Sequence, residues 1–393
     1  MACSIHEEEL ILLCARTFVN EKDAERIKEL LREGVDWNSI IRTAAWHKVM
    51  PLLYRSLNSI SPESVPEAAL DQLHKHYLSN LGRNVFLTKQ LLKIVDLLNA
   101  NGIATILFKG LALASSVYGD LGLRQFNDLD LLIHIKDVLQ AMDLLRKHGF
   151  HPAFPLTREQ EKILLHCNYH YEFRRNDEKV FVEIHWGLTP FFCPFAFDVD
   201  RLWKASRPIL LQGKTVQTLA PEDSLLTLCE HGAKHRWGRL SWICDVAELI
   251  NTCKQINWPE VLQKAEALGG RRMLSLGLHL TRELFRTRLP EYIIEWIHSD
   301  RLVKSLVKQV RNQIFHVKGA QTGDPEDRIF LFYLKTMLRP QDRIKSCLNK
   351  IILPLPDDLA LLPQSTFWFP LIYLIRPIRL MAKYERILLK RLL

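Results

Sequence analysis

The chain has 393 residues, 48% of them apolar and 25% charged, and its net charge is +9. That is the composition of an ordinary soluble globular protein, with room for about two or three domains and a sizeable core. The charge suits a protein that handles phosphates without requiring nucleic acid.

The eight cysteines include no C-x-x-C pair, so zinc knuckles and thioredoxin-like redox motifs are unsupported. Scattered cysteines point to buried thiols in a reducing compartment. The start of the chain, Met1-Ala2-Cys3-Ser4-Ile5-His6-Glu7-Glu8-Glu9, is acidic and lacks the basic flank of a signal peptide. The longest apolar run, Phe367 to Ile375, is too short for a bilayer and contains Pro370. The expected location is the cytoplasm.

The first third reads as helices. Asp36 is a candidate N-cap for a helix through His47, and a further helical stretch runs from Val49 to Leu57 around Pro51. A long periodic segment extends from about Pro66 to Ala100, with Gly102 as its stop. Ile103 to Phe108 is then a short β-rich run ending at Lys109-Gly110. Leu111 to Tyr118 is helical in composition, Asn127 to Ile135 a strand, and Val138 to His148 an amphipathic helix closed by Gly149. Tyr169 to Phe173 and Val180 to Trp186 alternate as strands, with Arg174 to Lys179 as the loop of a hairpin. Pro221-Glu222-Asp223 opens a helix through His235. Further helices cover Leu240 to Thr252, Trp258 to Ala267 and Arg271 to Phe285.

Asp128 and Asp130 carry the strongest chemical signal. Strand alternation puts both on one face, opposite Leu129, Leu131 and Ile133. Paired carboxylates in an apolar strand call for a cation, and Mg²⁺ takes one or two carboxylates plus substrate phosphates. The alternative is a salt-bridge cluster at the end of a strand. D-x-D alone is cheap: Asp198-Val199-Asp200 repeats it, without a preceding glycine turn, and reads as surface.

Lys109-Gly110 sits at a strand-to-helix junction, where backbone N–H groups approach phosphate; the alternative is a plain turn. Arg124 has the fork that suits phosphate oxygens, or a salt bridge to Asp120 or Asp128. Glu183 shares a strand face with Phe181 and His185. It is either a third metal carboxylate that also assists deprotonation of an acceptor, or a sheet-edge glutamate facing water.

His231 and His235 lie one helical turn apart, but Gly232 stands where a metalloprotease has glutamate. Packing at an interface is therefore preferred to zinc, with Asp245 orienting a histidine or capping the next helix. The basic amphipathic segment Arg376 to Leu393 reads as a terminal helix packing back on the protein. Contact with an anionic membrane surface or an acidic partner is its alternative.

These residues resemble the nucleotidyltransferase superfamily that contains polymerase β and the aminoglycoside nucleotidyltransferases. Its pattern is a strand ending in Gly-Gly or Gly-Ser, a helix, D-x-[DE] on the next strand and an acid on a later one. Gly110, Asp128, Asp130 and Glu183 match it. The chain is more closely similar to a bacterial branch of uncharacterised nucleotidyltransferases, through Leu107-Phe108-Lys109-Gly110, Tyr118, Leu123-Arg124, Asp128-Leu129-Asp130-Leu131-Leu132 and Glu183-Ile184-His185-Trp186. The stretches Ala44 to Leu57 and Pro221 through His231, His235 and Asp245 extend the similarity over most of the chain. Leu111 departs from the wider pattern, where Gly or Ser follows the glycine.

The resemblance implies an α+β fold: a polymerase β-like palm with a mixed sheet, flanked by N- and C-terminal helical regions. The divisions expected are a helical region over 1–85, a nucleotidyltransferase core over 86–217 and a helical domain over 218–393. It further implies Mg²⁺-dependent transfer of a nucleoside monophosphate from a nucleoside triphosphate to an unidentified hydroxyl acceptor. Asp128, Asp130 and Glu183 would be the catalytic metal ligands. Lys109, Gly110, Ser115 and Arg124 would bind the nucleotide, and His185, His231 and His235 would lie on the acceptor side. A non-catalytic nucleotide-binding or interaction protein on the same fold is the alternative. A phosphohydrolase using His231, His235 and Asp245 ranks last.

Overall fold

A computed structural model describes residues 4–175, 179–191, 193, 195–316, 326–359, 373 and 376–380. Its strands are β1 (Ile106–Leu107), β2 (Leu129–Leu132), β3 (His151–Pro152), β4 (His170–Arg175), β5 (Val180–His185), β6 (Arg207–Leu211) and β7 (Lys214–Thr218), set among many helices. The architecture is α+β, with parallel and antiparallel pairs. Two compact units interleave along the chain. The first comprises Met1–Gln90, Leu107–Asn127 and Ser206–Leu338, and the second Leu91–Ile106, Asp128–Ala205 and Arg339–Leu393.

The first unit is mainly helical. Asp36 accepts from the N–H groups of Asn38 and Ser39 and so starts the helix Trp37–Trp46. Pro51 lies in the first turn of Met50–Ile60, where its missing N–H costs nothing. The periodic segment is a single 34-residue helix, Glu67–Ala100, whose residues up to Gln90 belong to this unit, and Gly102 follows it at φ +74°. Trp237, fully buried, is a centre of packing beside the helices Pro221–Lys234 and Arg271–Phe285. A Cβ on Gly232 or Gly277 would come within 2.5 Å and 3.2 Å of the indole, so both helices need glycine there.

The hairpin β6–β7 has no counterpart in the sequence analysis. Its two-residue turn, Gln212-Gly213, has φ of +47° and +82°, which matches the twist of paired strands. The X-Gly turn between two β-prone runs was the available signal. Thr218 Oγ1, at the end of β7, donates to the Leu107 carbonyl at 2.8 Å.

In the second unit the strand order is β3-β4-β5-β2. β3–β4 and β4–β5 are antiparallel, and β5–β2 is parallel. Leu129, Leu131, Tyr171, Phe173, Val180, Val182 and Ile184 form a buried apolar face. The helices Val138–Lys147 and Arg158–Cys167 lie against that face: Arg146 sits over the Phe173 ring, and Trp186 Nε1 donates to the Leu165 carbonyl. The opposite face carries the polar residues discussed below. Positions 176–178, in the expected β4–β5 loop, lie outside the described residues.

The strand expected over Asn127 to Ile135 is shorter: it starts at Leu129 and, after Ile133 donates its N–H to the His185 carbonyl at 2.9 Å, gives way to a 3₁₀ turn at Ile135–Asp137. Asp198 and Asp200 are exposed, as expected of a surface pair. Of the C-terminal basic segment, positions 376–380 are helical. Arg376 donates to Asp358 Oδ2 at 2.9 Å and to the Lys350 carbonyl at 2.7 Å, which ties that turn to the second unit. Residues 381–393 and most of the run Phe367 to Ile375 lie outside the described residues. No helix among the described residues is long and apolar enough to cross a membrane.

His47 sets a pH limit on the first unit. Its Nδ1 accepts from the Leu240 N–H at 3.3 Å, and its Nε2 donates to the Ile314 carbonyl at 3.1 Å, so the buried ring is neutral. Burial, aided by Arg239 and only partly offset by the Ile314 carbonyl, lowers its pKa to about 4. Above about pH 6.5 the ring is neutral in both folded and unfolded chains. As pH falls below that, only the unfolded chain takes up the proton, so stability declines until about pH 4. The total loss from this group is about 3 kcal/mol. Urea unfolding at pH 7 and pH 4.5 should show a fall in midpoint for the wild type, with this component missing in His47→Gln.

Candidate functional site

The polar face of the second unit is built by strand register. β2 and β5 run parallel with Asp130 opposite Glu183 and Leu132 opposite His185. β4 and β5 run antiparallel with Glu172 opposite Glu183 and His170 opposite His185. Like charges directly opposite each other destabilise a sheet unless something compensates them. Here His185 Nε2 lies 3.1 Å from Asp130 Oδ1 and 3.0 Å from Glu183 Oε2. Asp130 and His185 are buried, with 8% and 2% of their surface exposed. Burial alone would push the His185 pKa down. The hydrogen bonds and charges of Asp130 and Glu183 outweigh it, and the net shift is upward.

Asp130, Glu183 and His185 thus form a group whose ligand atoms all lie within 4.8 Å of one another. A second such group, His170, Glu172 and Glu183, shares the glutamate. Glu183 is no edge residue, because β5 is flanked by β4 and β2. Asp128 precedes β2, is partly exposed and belongs to neither group. His185, expected on the acceptor side, stands between two carboxylates. His170 and Glu172 join the site without having been expected there. The alternation Tyr169-His170-Tyr171-Glu172-Phe173 puts both on one strand face, and hairpin pairing with Val180 to Trp186 was the signal that could have found them.

The glycine turn belongs to the first unit. Lys109 has φ +55° and Gly110 φ +23°, so the chain turns sharply from β1 into the helix Gly110–Ser116. Leu111, the departure from the wider pattern, is buried with the apolar side of that helix. Ser115 lies near the helix's other end, where its hydroxyl donates to the Leu210 carbonyl.

Arg124 is held by Asp245. Its Nε and Nη2 donate to the two Asp245 oxygens at 2.8 Å each, and Nη1 reaches the Gly110 carbonyl at 3.3 Å. Tyr118 donates to Asp245 Oδ1 at 2.8 Å. Burial and the Asp245 charge hold the Tyr118 pKa well above the phenol range, so it remains a donor. Asp245 therefore neither orients His231 nor caps a helix. The loop before Arg124 is pinned to one face of Glu67–Ala100: Tyr77 donates to Asp120, Asn84 to the Leu121 and Arg124 carbonyls, and Asn80 to the Gly122 carbonyl. Gly122 is required because a Cβ there would meet the Tyr77 ring at 2.5 Å.

His231 and His235, also in the first unit, have ring centroids 4.6 Å apart and both pack on Trp242. Burial, then the charge of Lys109 and other nearby cations, holds the His231 pKa well below the imidazole range. Neither histidine joins a metal-ligating group among the described residues.

With this geometry in hand, residues 33–286 match the family model described as uncharacterised nucleotidyltransferase. The chain belongs to that family. The matched span takes in the glycine turn, Arg124, Asp128, the strand-face acids, the paired histidines and Asp245. The family name places the chain among transferases and implies a nucleotide substrate. Among solved structures, the chain is similar to an antigenic nucleotidyltransferase-like protein from Paracoccidioides brasiliensis, at 18% identity over 55% of this chain and 97% of that one, with a TM-score of 0.33. No curated protein matches the chain.

Removing one partner of a buried ion pair strands the other charge and costs about 3–5 kcal/mol. Arg124→Met should lose that much in urea unfolding, and Arg124→Met with Asp245→Leu should lose less than the sum of the single variants. Gly232→Ala should cost about 1–3 kcal/mol, because its methyl displaces the Trp237 ring; thermal unfolding would register the loss.

Proposed function

We propose that this protein transfers a nucleoside monophosphate from a nucleoside triphosphate to a hydroxyl acceptor and releases pyrophosphate. The observation that carries the reading is the opposition of Asp130 and Glu183 across β2 and β5, in a chain of a nucleotidyltransferase family. Two acidic side chains on one face of the sheet, one of them buried, are a suitable donor set for a divalent cation, Mg²⁺ being the ion that the sequence resemblance implies. Such an ion supplies charge neutralisation at the transferring phosphoryl group and its leaving pyrophosphate. Asp130 and Glu183 would hold it, with Asp128 a further acid two residues upstream.

The chain's own residues do the rest. The resemblance assigns Lys109 and the Gly110 N–H, in the first unit, to the triphosphate, and Arg124 fixes that turn through the Gly110 carbonyl and Asp245. Ser115 is left out, since its hydroxyl serves Leu210. The acceptor oxygen bonds to the α-phosphorus as the α–β anhydride bond breaks, and Glu183 accepts the acceptor's proton. His231 and His235 stand as acceptor-side residues, and the compartment proposed is the cytoplasm, on the cysteine pattern of the sequence.

Asp130→Asn and Glu183→Gln should each lower nucleotide transfer by on the order of 10²-fold or more while circular dichroism stays unchanged. Labelled triphosphates incubated with cell extract would read transfer through the labelled product. Undiminished pyrophosphate release by the double variant would sink the reading. A second reading, nucleotide binding without turnover, is favoured by the place of His185, whose ring nitrogen already bridges the two acids. Tight calorimetric binding of a triphosphate with no product would establish it.

A further inference from the structure

We propose that His185 is itself a ligand of the cation and that the seat formed with Asp130 and Glu183 is therefore built for a transition ion, tested as Mn²⁺, in preference to Mg²⁺. The inference rests on the reading that Asp130 and Glu183 hold a cation, and it concerns which one.

The donor set carries the argument. Mg²⁺ is bound by oxygen and retains its waters, whereas an imidazole nitrogen suits ions of the first transition series. A seat for Mg²⁺ alone has no use for an imidazole at its centre. Here His185 Nε2 is aimed at both acids, at 3.1 Å from Asp130 and 3.0 Å from Glu183, and the ring is 2% exposed. Adjacent ligand atoms around an octahedral ion with bonds of about 2.1 Å stand about 3 Å apart, so these separations suit a shared ion. The same distances suit a proton on Nε2. An ion entering the seat takes that proton's place, with the proton leaving to solvent. Two acidic side chains are then neutralised by a divalent charge.

The neighbouring group, His170, Glu172 and Glu183, is a weaker seat. Arg174 lies 3.7 Å from Glu172, and His170 lies 3.9 Å from it, so its charge is already balanced. Glu172 is also 44% exposed in its side chain, against 6% for Asp130. Stacking of the His170 ring on His185 at 5.1 Å makes His170 a support for the ligand's orientation.

The test is electron spin-echo spectroscopy of Mn²⁺ added to the full chain, with Mg²⁺ as competitor. The expected result is a directly coordinated histidine nitrogen on the bound Mn²⁺. Its signal should change isotope when the histidines are labelled with ¹⁵N, a readout that needs no variant. His185→Gln should abolish the signal, His170→Gln should keep it, and displacing Mn²⁺ from the wild type should take at least about 10-fold more Mg²⁺ than Mn²⁺. Mn²⁺ bound with no nitrogen coupling overturns the inference and leaves the cation reading standing, as does a signal that survives His185→Gln. Failure of both Mn²⁺ and Mg²⁺ to bind overturns the two together and leaves His185 as a hydrogen-bond partner of the two acids.

Discussion

The parallel register of β2 and β5 governs the second unit. It sets Asp130 opposite Glu183, and two carboxylates so placed repel each other unless a cation or a shared proton lies between them. His185, two residues along the same strand as Glu183, is drawn toward its charged form by both acids. The register that creates this demand also meets the needs of the core. Shifting either strand by one residue would turn Asp130 or Glu183 toward the apolar face of Leu131, Val182 and Ile184. Packing on one side of the sheet and charge on the other therefore enforce the same alignment.

The first unit solves a related problem differently. Arg124 and Asp245 are nearly buried, with side chains 11% and 2% exposed, and the pair is completed by Tyr118. Such a pair is a weak source of stability, yet it is costly to break and so fixes geometry. Its third arm reaches the Gly110 carbonyl, and its backbone is held by Asn80 and Asn84. The glycine turn is thus braced from the long helix through Arg124. An arginine that looked like a ligand contact is first a structural clamp.

The two units differ in how they treat histidine. His185 is drawn toward its charged form by two acids, while His231 and His47 are held neutral by burial. Acids beside the ring decide the first case, and desolvation the others.

Local sequence determined much of the architecture. The helices Leu240–Thr252, Trp258–Ala267 and Arg271–Phe285, the Asp36 cap and the stop at Gly102 follow from periodicity and capping, which need only near neighbours. The family was legible as well, because its motifs are short runs such as Asp128-Leu129-Asp130 and Glu183-Ile184-His185. The shared face of Glu183 and His185 followed from strand alternation. What sequence left open were partners distant along the chain. Arg124 could have bonded any of several acids, and only the packing of the helix Leu240–Thr252 brought Asp245 to it. Which strand lay beside Glu183 was likewise undetermined, so the meeting of Asp130 with His185, and of Glu172 with Glu183, belongs to the sheet register alone. Alternation tells which face a side chain takes; only tertiary pairing tells what it faces.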